Sequence, residues 1–106
     1  MKKCIYCDNP KAHKTTSYCK YHNAIYQQSR LYNLSMNEVE ELRKIEKCES
    51  CGDIIEGNSK VIDHCHTTGR VRGVICRWCN LSLGNLSESI EKMEKLIIYT
   101  KNKVLN

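Results

Sequence analysis

The stretch VIDHCHTTGRVRGVICRWCNLSLG, residues 61–84, decides how this chain of 106 residues folds. Two β-rich runs, KVIDHCH and RVRGVI, flank Thr67-Thr68-Gly69, and a glycine in a turn readily adopts positive φ. The pattern predicts a β-hairpin with an Asp-His-Cys-His cluster, residues 63–66, on its first strand. Such a cluster can bind one zinc ion, or it can form a reactive site beside a separate structural zinc.

Pairs of cysteines at both ends of the hairpin indicate that separate zinc site. One Cys-x-x-Cys pair precedes the hairpin and a second follows it, with 24 residues between them. That interval is a few residues longer than in a common zinc ribbon, and the hairpin accounts for the surplus. Four thiolates close a tetrahedral shell and leave no open position, so the metal is expected to be structural. The predicted ligands are Cys48, Cys51, Cys76 and Cys79.

A comparable pattern opens the chain, in residues 4–22. A Cys-x-x-Cys pair is followed after eleven residues by a Cys-x-x-His pair, and each pair presents two ligands on one tight turn. The spacing predicts a second structural Zn²⁺ bound by Cys4, Cys7, Cys19 and His22. The alternative is that these cysteines are merely small buried residues. His13, between the two pairs, is expected at the surface.

Composition explains why the chain needs such staples. It contains no Phe, one Trp and eight Cys, so its aliphatic core must be thin. The opening MKKCIYCDNP has no apolar run suited to a signal peptide, and we therefore expect a cytoplasmic protein whose cysteines bind metal. A secreted disulfide protein is the alternative, and it would carry no stoichiometric zinc. No run approaches the length of about 20 apolar residues that spans a bilayer, so no membrane partner is expected.

The formal charge of +5 falls to +2 when both zinc ions and their thiolates are counted. The distribution of charge is more informative than the total. Arg70, Arg72 and Arg77 lie close to the Asp-His-Cys-His cluster, and contacts to a phosphate backbone need such a basic patch. The alternative is a solvated face of the hairpin.

Two helical regions flank the hairpin and its cysteine pairs. The first runs from about residue 23 to 46 with a break at 32–34, and Ser35 with Glu38 forms a predicted capping box. Its apolar face consists of Met36, Val39, Leu42 and Ile45. The second begins after a predicted N-cap at Ser87, and its apolar residues are Leu86, Ile90, Met93, Ile97 and Val104. This C-terminal helix is expected to pack on the domain or to pair with another copy as a homodimer.

Five residues remain once the zinc ligands are assigned: Asp63, His64, Cys65, His66 and Asn80. Hydrolysis of a phosphodiester needs a base to take a proton from water and a hard cation to stabilise the phosphate charge. A histidine titrates near pH 6.5, and Asp and Asn oxygens suit Mg²⁺ or Mn²⁺. Three alternatives stay open: His64, Cys65 and His66 ligate a third metal, Asp63 only caps or pairs with Arg72, or Asn80 only caps the next helix. Trp78 is expected to pack, and a stacking platform is the alternative.

The run DHCHTTGRVRGVICRWCNLSLG, preceded by CESC, resembles the recombination endonuclease VII group of phage nucleases, within the His-Me finger or HNH superfamily. The similarity covers about residues 31–84 and implies a hairpin followed by a helix, braced by a Cys4 zinc. It makes His64 the general base, Asp63 and Asn80 the ligands of one Mg²⁺ or Mn²⁺, and His66 a group that positions the scissile phosphate. Many relatives carry an acidic residue or Asn where this chain has Cys65, which is given no catalytic role.

The predicted fold is therefore a small α+β zinc-stabilised domain with a ββα-metal core. The expected division is an N-terminal Cys3His knuckle at 1–30, a linking helix at 31–46, the core at 47–84 and a C-terminal helix at 85–106. Neighbouring residues on a regular strand face opposite sides, so Asp63 and His64 can serve one phosphate only if the strand twists, bulges or ends there.

The function expected from this resemblance is a metal-dependent DNA endonuclease, phage-encoded and acting in the cytoplasm of the infected bacterium. Its partner would be double-stranded or branched DNA, held by Arg70, Arg72 and Arg77 through the backbone, and its products would carry 5′-phosphate and 3′-hydroxyl ends. The alternative function is a non-catalytic double-zinc module that binds nucleic acid or regulates another protein.

Overall fold

The computed structural model describes residues 2–105, which separate into two compact units. The first unit contains the chain up to Glu46 together with His64–Gly73, and the second contains Lys47–Asp63 together with the chain from Val74 onward. The boundaries predicted after residues 30, 46 and 84 separate consecutive segments of the sequence, whereas each compact unit combines two separate stretches of chain. The predicted boundaries therefore stay a prediction.

Two helices form most of the first unit. Helix α1 spans Lys20–Tyr32 and helix α2 spans Met36–Arg43, and the two pack against each other around the fully buried Ile25 and Val39. Asn33 ends α1 in the left-handed conformation with φ 55°, which produces the predicted break. The predicted capping box at the start of α2 is confirmed. Helix α1 begins three residues earlier than expected, because Cys19 acts as its N-cap.

The predicted hairpin is present. Strand β1 spans Lys60–His64 and strand β2 spans Val71–Cys76, and they pair as a two-stranded sheet. Gly69 has a φ of 76°, and its N–H donates to the carbonyl oxygen of Cys65 at 2.7 Å. Helix α3, Arg77–Asn85, follows β2 directly, so the chain has the expected ββα order within a small α+β fold.

The second unit has a small aliphatic core, as the composition predicted. Ile55, Val74 and Ile75 are buried, together with Cys48 and Cys76. A 3₁₀ turn at Gly57–Ser59 leads into β1. Helix α4 spans Ile90–Tyr99 and continues as one π-helical turn, Thr100–Val104. Several apolar side chains of α4 remain exposed, namely Ile90, Leu96, Ile97 and Ile98.

The prediction that Ser87 caps the C-terminal helix is wrong. Ser87 has a φ of 55° and belongs to the end of α3: its N–H donates to Gly84, and the N–H of Glu88 donates to Leu83. These two hydrogen bonds form a Schellman-type C-cap, which requires a left-handed residue at this position. An N-cap needs extended backbone, and Ser89 supplies it, accepting a hydrogen bond from the N–H of Lys92 at 3.2 Å.

Candidate functional site

The four predicted ligands at the start of the chain come together, and their arrangement fits zinc. The ligand atoms of Cys4, Cys7, Cys19 and His22 lie within 4.8 Å of one another. The Nδ1 atom of His22 is 3.3 Å from the sulfur of Cys19 and 3.6 Å from each of the other two sulfurs. A tetrahedral Zn²⁺ with bonds of about 2.0–2.3 Å keeps neighbouring ligand atoms about 3.3–3.8 Å apart. We call these residues the first cluster.

The second cluster consists of Cys48, Cys51, Cys76 and Cys79, whose sulfurs also lie within 4.8 Å of one another. The sulfurs of Cys51 and Cys76 are 3.8 Å apart, as in a tetrahedral sulfur shell. Among residues 2–105, only these two clusters bring together three or more potential ligands. The third metal site weighed for His64, Cys65 and His66 is therefore not formed.

The acidity of the thiols also favours a cation in each cluster. Burial raises the pKa of Cys48, but hydrogen bonds from the backbone of Cys51, Cys76 and Ser50 outweigh it and lower that pKa to about 6. A backbone hydrogen bond from Asp53 lowers the pKa of Cys51, but burial and the adjacent thiols of the cluster outweigh it and raise the pKa to about 12. One thiolate is therefore favoured, while its neighbours ionise fully only beside a compensating cation.

The first cluster shows the same balance. Burial raises the pKa of Cys4, and backbone hydrogen bonds from Cys19 and Tyr6 outweigh it and lower the pKa to about 6.

In both clusters a ligand sulfur also caps a helix. The sulfur of Cys19 accepts a hydrogen bond from the N–H of His22 at 3.4 Å at the start of α1. The sulfur of Cys76 accepts one from the N–H of Cys79 at 3.3 Å at the start of α3. Each cluster therefore satisfies an amide that would otherwise lack a partner in the first turn of a helix, and it fixes where that helix begins.

His64 is the last residue of β1 and is half-buried. Its ring contacts Tyr32, with centroids 5.8 Å apart and planes tilted by 54°, and His66, with centroids 5.3 Å apart in an edge-on arrangement. His66 lies beyond the end of the strand and is exposed. Strand β1 thus ends before His66, and the rings of the two histidines are nevertheless in contact.

Sequence reasoning missed Tyr32. It lies 32 positions before His64, at the last position of α1, and no local pattern links the two residues. Its only signal was its place next to the predicted helix break. That signal indicates a helix end and carries no information about a partner.

Asp63 lies in the second unit, where it lines a cavity of about 450 Å³. Trp78, Cys79, Ser82 and Leu83 are among the other residues that line this cavity. Asp63 is half-buried and makes contacts of its own. A carboxylate beside a cavity can accept hydrogen bonds or hold a hard cation.

One alternative for Asn80 and one expectation for Trp78, both in helix α3, are wrong. Asn80 is its fourth residue, so it cannot be the N-cap, a role that Cys76 fills. Trp78 was expected to pack, but it is 67% exposed, and the Arg77 guanidinium lies 5.0 Å from its ring centroid. The ring and the guanidinium therefore form a cation–π pair at the surface rather than a contact within the core.

Three more residues of the candidate site are exposed at the surface: Arg70, Arg72 and Arg77. Cys65, half-buried at the start of the hairpin turn, is not part of either cluster. A hydrogen bond from the side chain of Thr68 lowers the pKa of its thiol.

Comparison with known proteins defines the class. The model of the recombination endonuclease VII family matches residues 23–102, which is most of the chain and extends beyond the similarity seen in the motifs alone. The chain belongs to the recombination endonuclease VII family, a family of nucleases.

One solved structure is similar in part. It is the ββα-Me type II restriction endonuclease Hpy99I, with 26% sequence identity, a TM-score of 0.47, and coverage of 81% of this chain and 50% of that one. The chain thus spans half the length of that enzyme. No curated protein matches the chain. None of the helices among residues 2–105 combines the length and the apolar character that crossing a bilayer requires.

Proposed function

We propose that this protein is a metal-dependent DNA endonuclease in which His64 is the general base. The observation that carries the proposal is the position of His64: it ends β1 of a ββα arrangement in a chain of the endonuclease VII family, with its ring oriented by two neighbours. A base must be held in one orientation to take a proton from an attacking water. The contacts of Tyr32 and His66 supply that restraint.

The remaining roles follow from chemistry and exposure. His66, exposed and next to the His64 ring, would donate a hydrogen bond to the scissile phosphate. Arg70, Arg72 and Arg77 would hold flanking phosphates without reading sequence. Products with 5′-phosphate and 3′-hydroxyl ends are part of the proposal, since the water would attack phosphorus and the 3′ oxygen would leave.

Asp63 and Asn80 would hold one divalent cation, Mg²⁺ or Mn²⁺. Both are half-buried and offer a carboxylate and an amide oxygen, the donor types that these ions prefer. When bound, such a cation stabilises negative charge on the phosphate and on the leaving oxygen. Both cysteine clusters would hold Zn²⁺ with a filled coordination shell, so their role is to brace the fold.

The setting inferred for this activity is the cytoplasm of a bacterium infected by a phage that encodes the protein. Double-stranded or branched DNA would be the substrate. The exposed apolar side chains of α4 would allow a homodimer.

A plasmid-nicking assay tests the proposal. The zinc-loaded protein with Mg²⁺ should nick supercoiled DNA, and His64→Ala should lower the rate by about 100-fold or more, as loss of a general base does. His13→Ala is the matched control, because His13 is exposed and bonds only locally, to Thr15 at 2.7 Å.

Equal nicking by wild type and His64→Ala would remove His64 as the base. Absence of nicking by the wild type with Mg²⁺ or Mn²⁺, while DNA is bound and two zinc ions are retained, would favour the non-catalytic double-zinc module.

A further inference from the structure

The net positive charge of the chain comes entirely from its first 37 residues. This segment contains six Lys and Arg residues and a single acid, Asp8, whereas residues 38–106 contain eleven basic and eleven acidic residues. With a zinc ion and three thiolates counted, the first 37 residues still carry a formal charge of about +4. We call residues 2–37 the N-terminal module. Its basic residues are Lys2, Lys3, Lys11, Lys14, Lys20 and Arg30.

The same module carries a row of aromatic rings. The rings of Tyr6 and Tyr18 are stacked, with centroids 5.7 Å apart and planes within 10°, and the ring of Tyr26 follows at 5.0 Å from Tyr18. Arg30 ends the row: its guanidinium lies 5.9 Å from the Tyr26 centroid and donates to the Tyr26 hydroxyl at 3.1 Å. Rings and positive charge therefore run along one module.

Packing alone does not explain this row. The module buries Cys4, Cys19, Ile25 and Ser29, whereas Tyr6, at the end of the row, is 58% exposed. The Tyr6 ring is stacked on Tyr18 and also contacts the His22 ring, with centroids 5.4 Å apart and planes tilted by 34°. Most of the Tyr6 side chain is exposed despite both contacts, and it offers surface to a further flat, apolar group. Every nucleic acid base has such a face, and a base that is unpaired can leave its own stack to use it.

The charge of the module identifies the polymer that carries such bases. All the basic residues of the module are exposed except Lys11, which is half-buried. In a nucleic acid the bases are joined by negatively charged phosphates, which exposed lysines and arginines can bind. Duplex DNA already stacks its bases internally, so a tyrosine platform gains most from a single strand.

We propose that the N-terminal module binds single-stranded DNA, with an unpaired base stacked on Tyr6 and phosphates held by the exposed lysines of the module. The choice of DNA over RNA rests on the proposed endonuclease function. The binding surface itself is inferred from the ring contacts, the exposure of Tyr6 and the charge of the module. Helix α1 leads from His22, in the first cluster, to Tyr32, which contacts His64. The ten residue steps from His22 to Tyr32 span about 15 Å, or about four nucleotide steps of a stacked strand. The module would thus bind an unpaired segment of DNA a few nucleotides away from His64, the proposed general base.

Fluorescence anisotropy of a labelled DNA strand of about 12 nucleotides tests the stacking role, with the full-length protein holding both zinc ions and no Mg²⁺ present. Tyr6→Ala should weaken binding roughly tenfold, and Tyr6→Phe should bind like wild type because it retains the ring. The loss should be much smaller on a duplex of the same sequence. Zinc content of each variant shows that the first cluster is intact.

The salt dependence of binding tests the phosphate contacts. Lys14→Gln combined with Lys20→Gln should reduce the slope of log Kd against log salt by roughly 1.4, since each contact to a single strand contributes about 0.7. Lys101→Gln combined with Lys103→Gln is the matched control on the C-terminal π-helical turn and should leave the slope unchanged.

The inference would be overturned if Tyr6→Ala bound the strand with wild-type affinity while retaining two zinc ions. It would also be overturned if both double lysine variants reduced the salt slope equally, or if the protein bound an RNA strand more tightly than a DNA strand. Nicking is measured in parallel. A protein that binds the strand through Tyr6 but never cleaves plasmid contradicts the proposed function and supports this inference. Nicking that depends on His64, without any strand binding through Tyr6, supports the proposed function and contradicts this inference.

Discussion

Tyr32 contacts His64 across a long interval of sequence, and this contact gives a prediction at the scale of single residues. Tyr32→Ala should lower kcat for nicking about tenfold, because an aromatic pair contributes about 0.5–1.5 kcal/mol and its loss frees the His64 ring to turn away. KM should change little. Tyr32→Phe should restore the rate, since it keeps the ring and removes only the hydroxyl.

Tyr99→Ala serves as the control for that experiment, because Tyr99 is an exposed tyrosine on α4. A role for Tyr32 in stability alone predicts equal losses of kcat and folded protein. Unchanged kcat in Tyr32→Ala would mean that His64 is held without this ring.

Cysteine substitutions distinguish ligands from the remaining thiol. Cys79→Ser should reduce the zinc content from two ions to one, because three sulfurs cannot close the second cluster. Cys65→Ser should keep both ions, since Cys65 belongs to neither cluster. Elemental analysis of the purified variants measures this directly, and a loss of zinc in Cys65→Ser would contradict the assignment of ligands.

Residue spacing predicted which eight side chains come together in the two clusters, because a tight turn brings positions i and i+3 side by side regardless of the rest of the chain. Contacts that depend on tertiary structure were not predictable in this way. The exposure of Trp78 and the contact of Tyr32 with His64 depend on where whole elements lie, which local patterns do not encode.

At the scale of elements, the hairpin turn depends on one backbone conformation. Gly69→Ala should destabilise the protein by about 1 kcal/mol, because an alanine at φ 76° is strained. A Cβ atom there would meet nothing within 4 Å, so strain is the whole effect. Denaturant unfolding measures the change.

Gly84→Ala provides the contrast. Gly84 is in helix α3, its Cβ would also be unobstructed, and alanine favours helix by up to about 1 kcal/mol. Gly69→Ala should lower the free energy of unfolding, and Gly84→Ala should raise it. Equal effects would show that the positive φ of Gly69 is not what the turn requires.

The start of α4 illustrates the limit of predicting elements from sequence. Ser87 and Ser89 are two residues apart, and either can cap a helix by its side chain. The choice is made by the end of α3, which uses Ser87 as its left-handed residue and so leaves Ser89 as the cap. The capping box at Ser35 had no such competitor, and it was predicted correctly.

At the scale of the whole molecule, metal removal should unfold the chain. Only ten side chains among residues 2–105 are buried, and four of them are cysteines of the two clusters, so the core is too small to hold the fold without metal. A strong chelator should abolish most of the helical circular dichroism signal, and added Zn²⁺ should restore it. A reducing agent alone should have no effect, because none of the eight cysteines forms a disulfide. Unfolding by the reductant would instead indicate disulfides.

The α+β class and its two clusters could be predicted because cysteine spacing and β-rich runs are local features. The exposure of the α4 side chains could not, since the same periodicity fits a helix that packs and one that does not.

The first cluster has three sulfurs and one nitrogen, whereas the second has four sulfurs. This single difference makes the two sites distinguishable by absorption when cobalt replaces zinc, because the ligand field of a d-electron ion depends on its donors. The order in which the sites fill can therefore be followed within one chain. His22→Cys should merge the two spectra, and it would turn a mixed-donor knuckle into a copy of its neighbour.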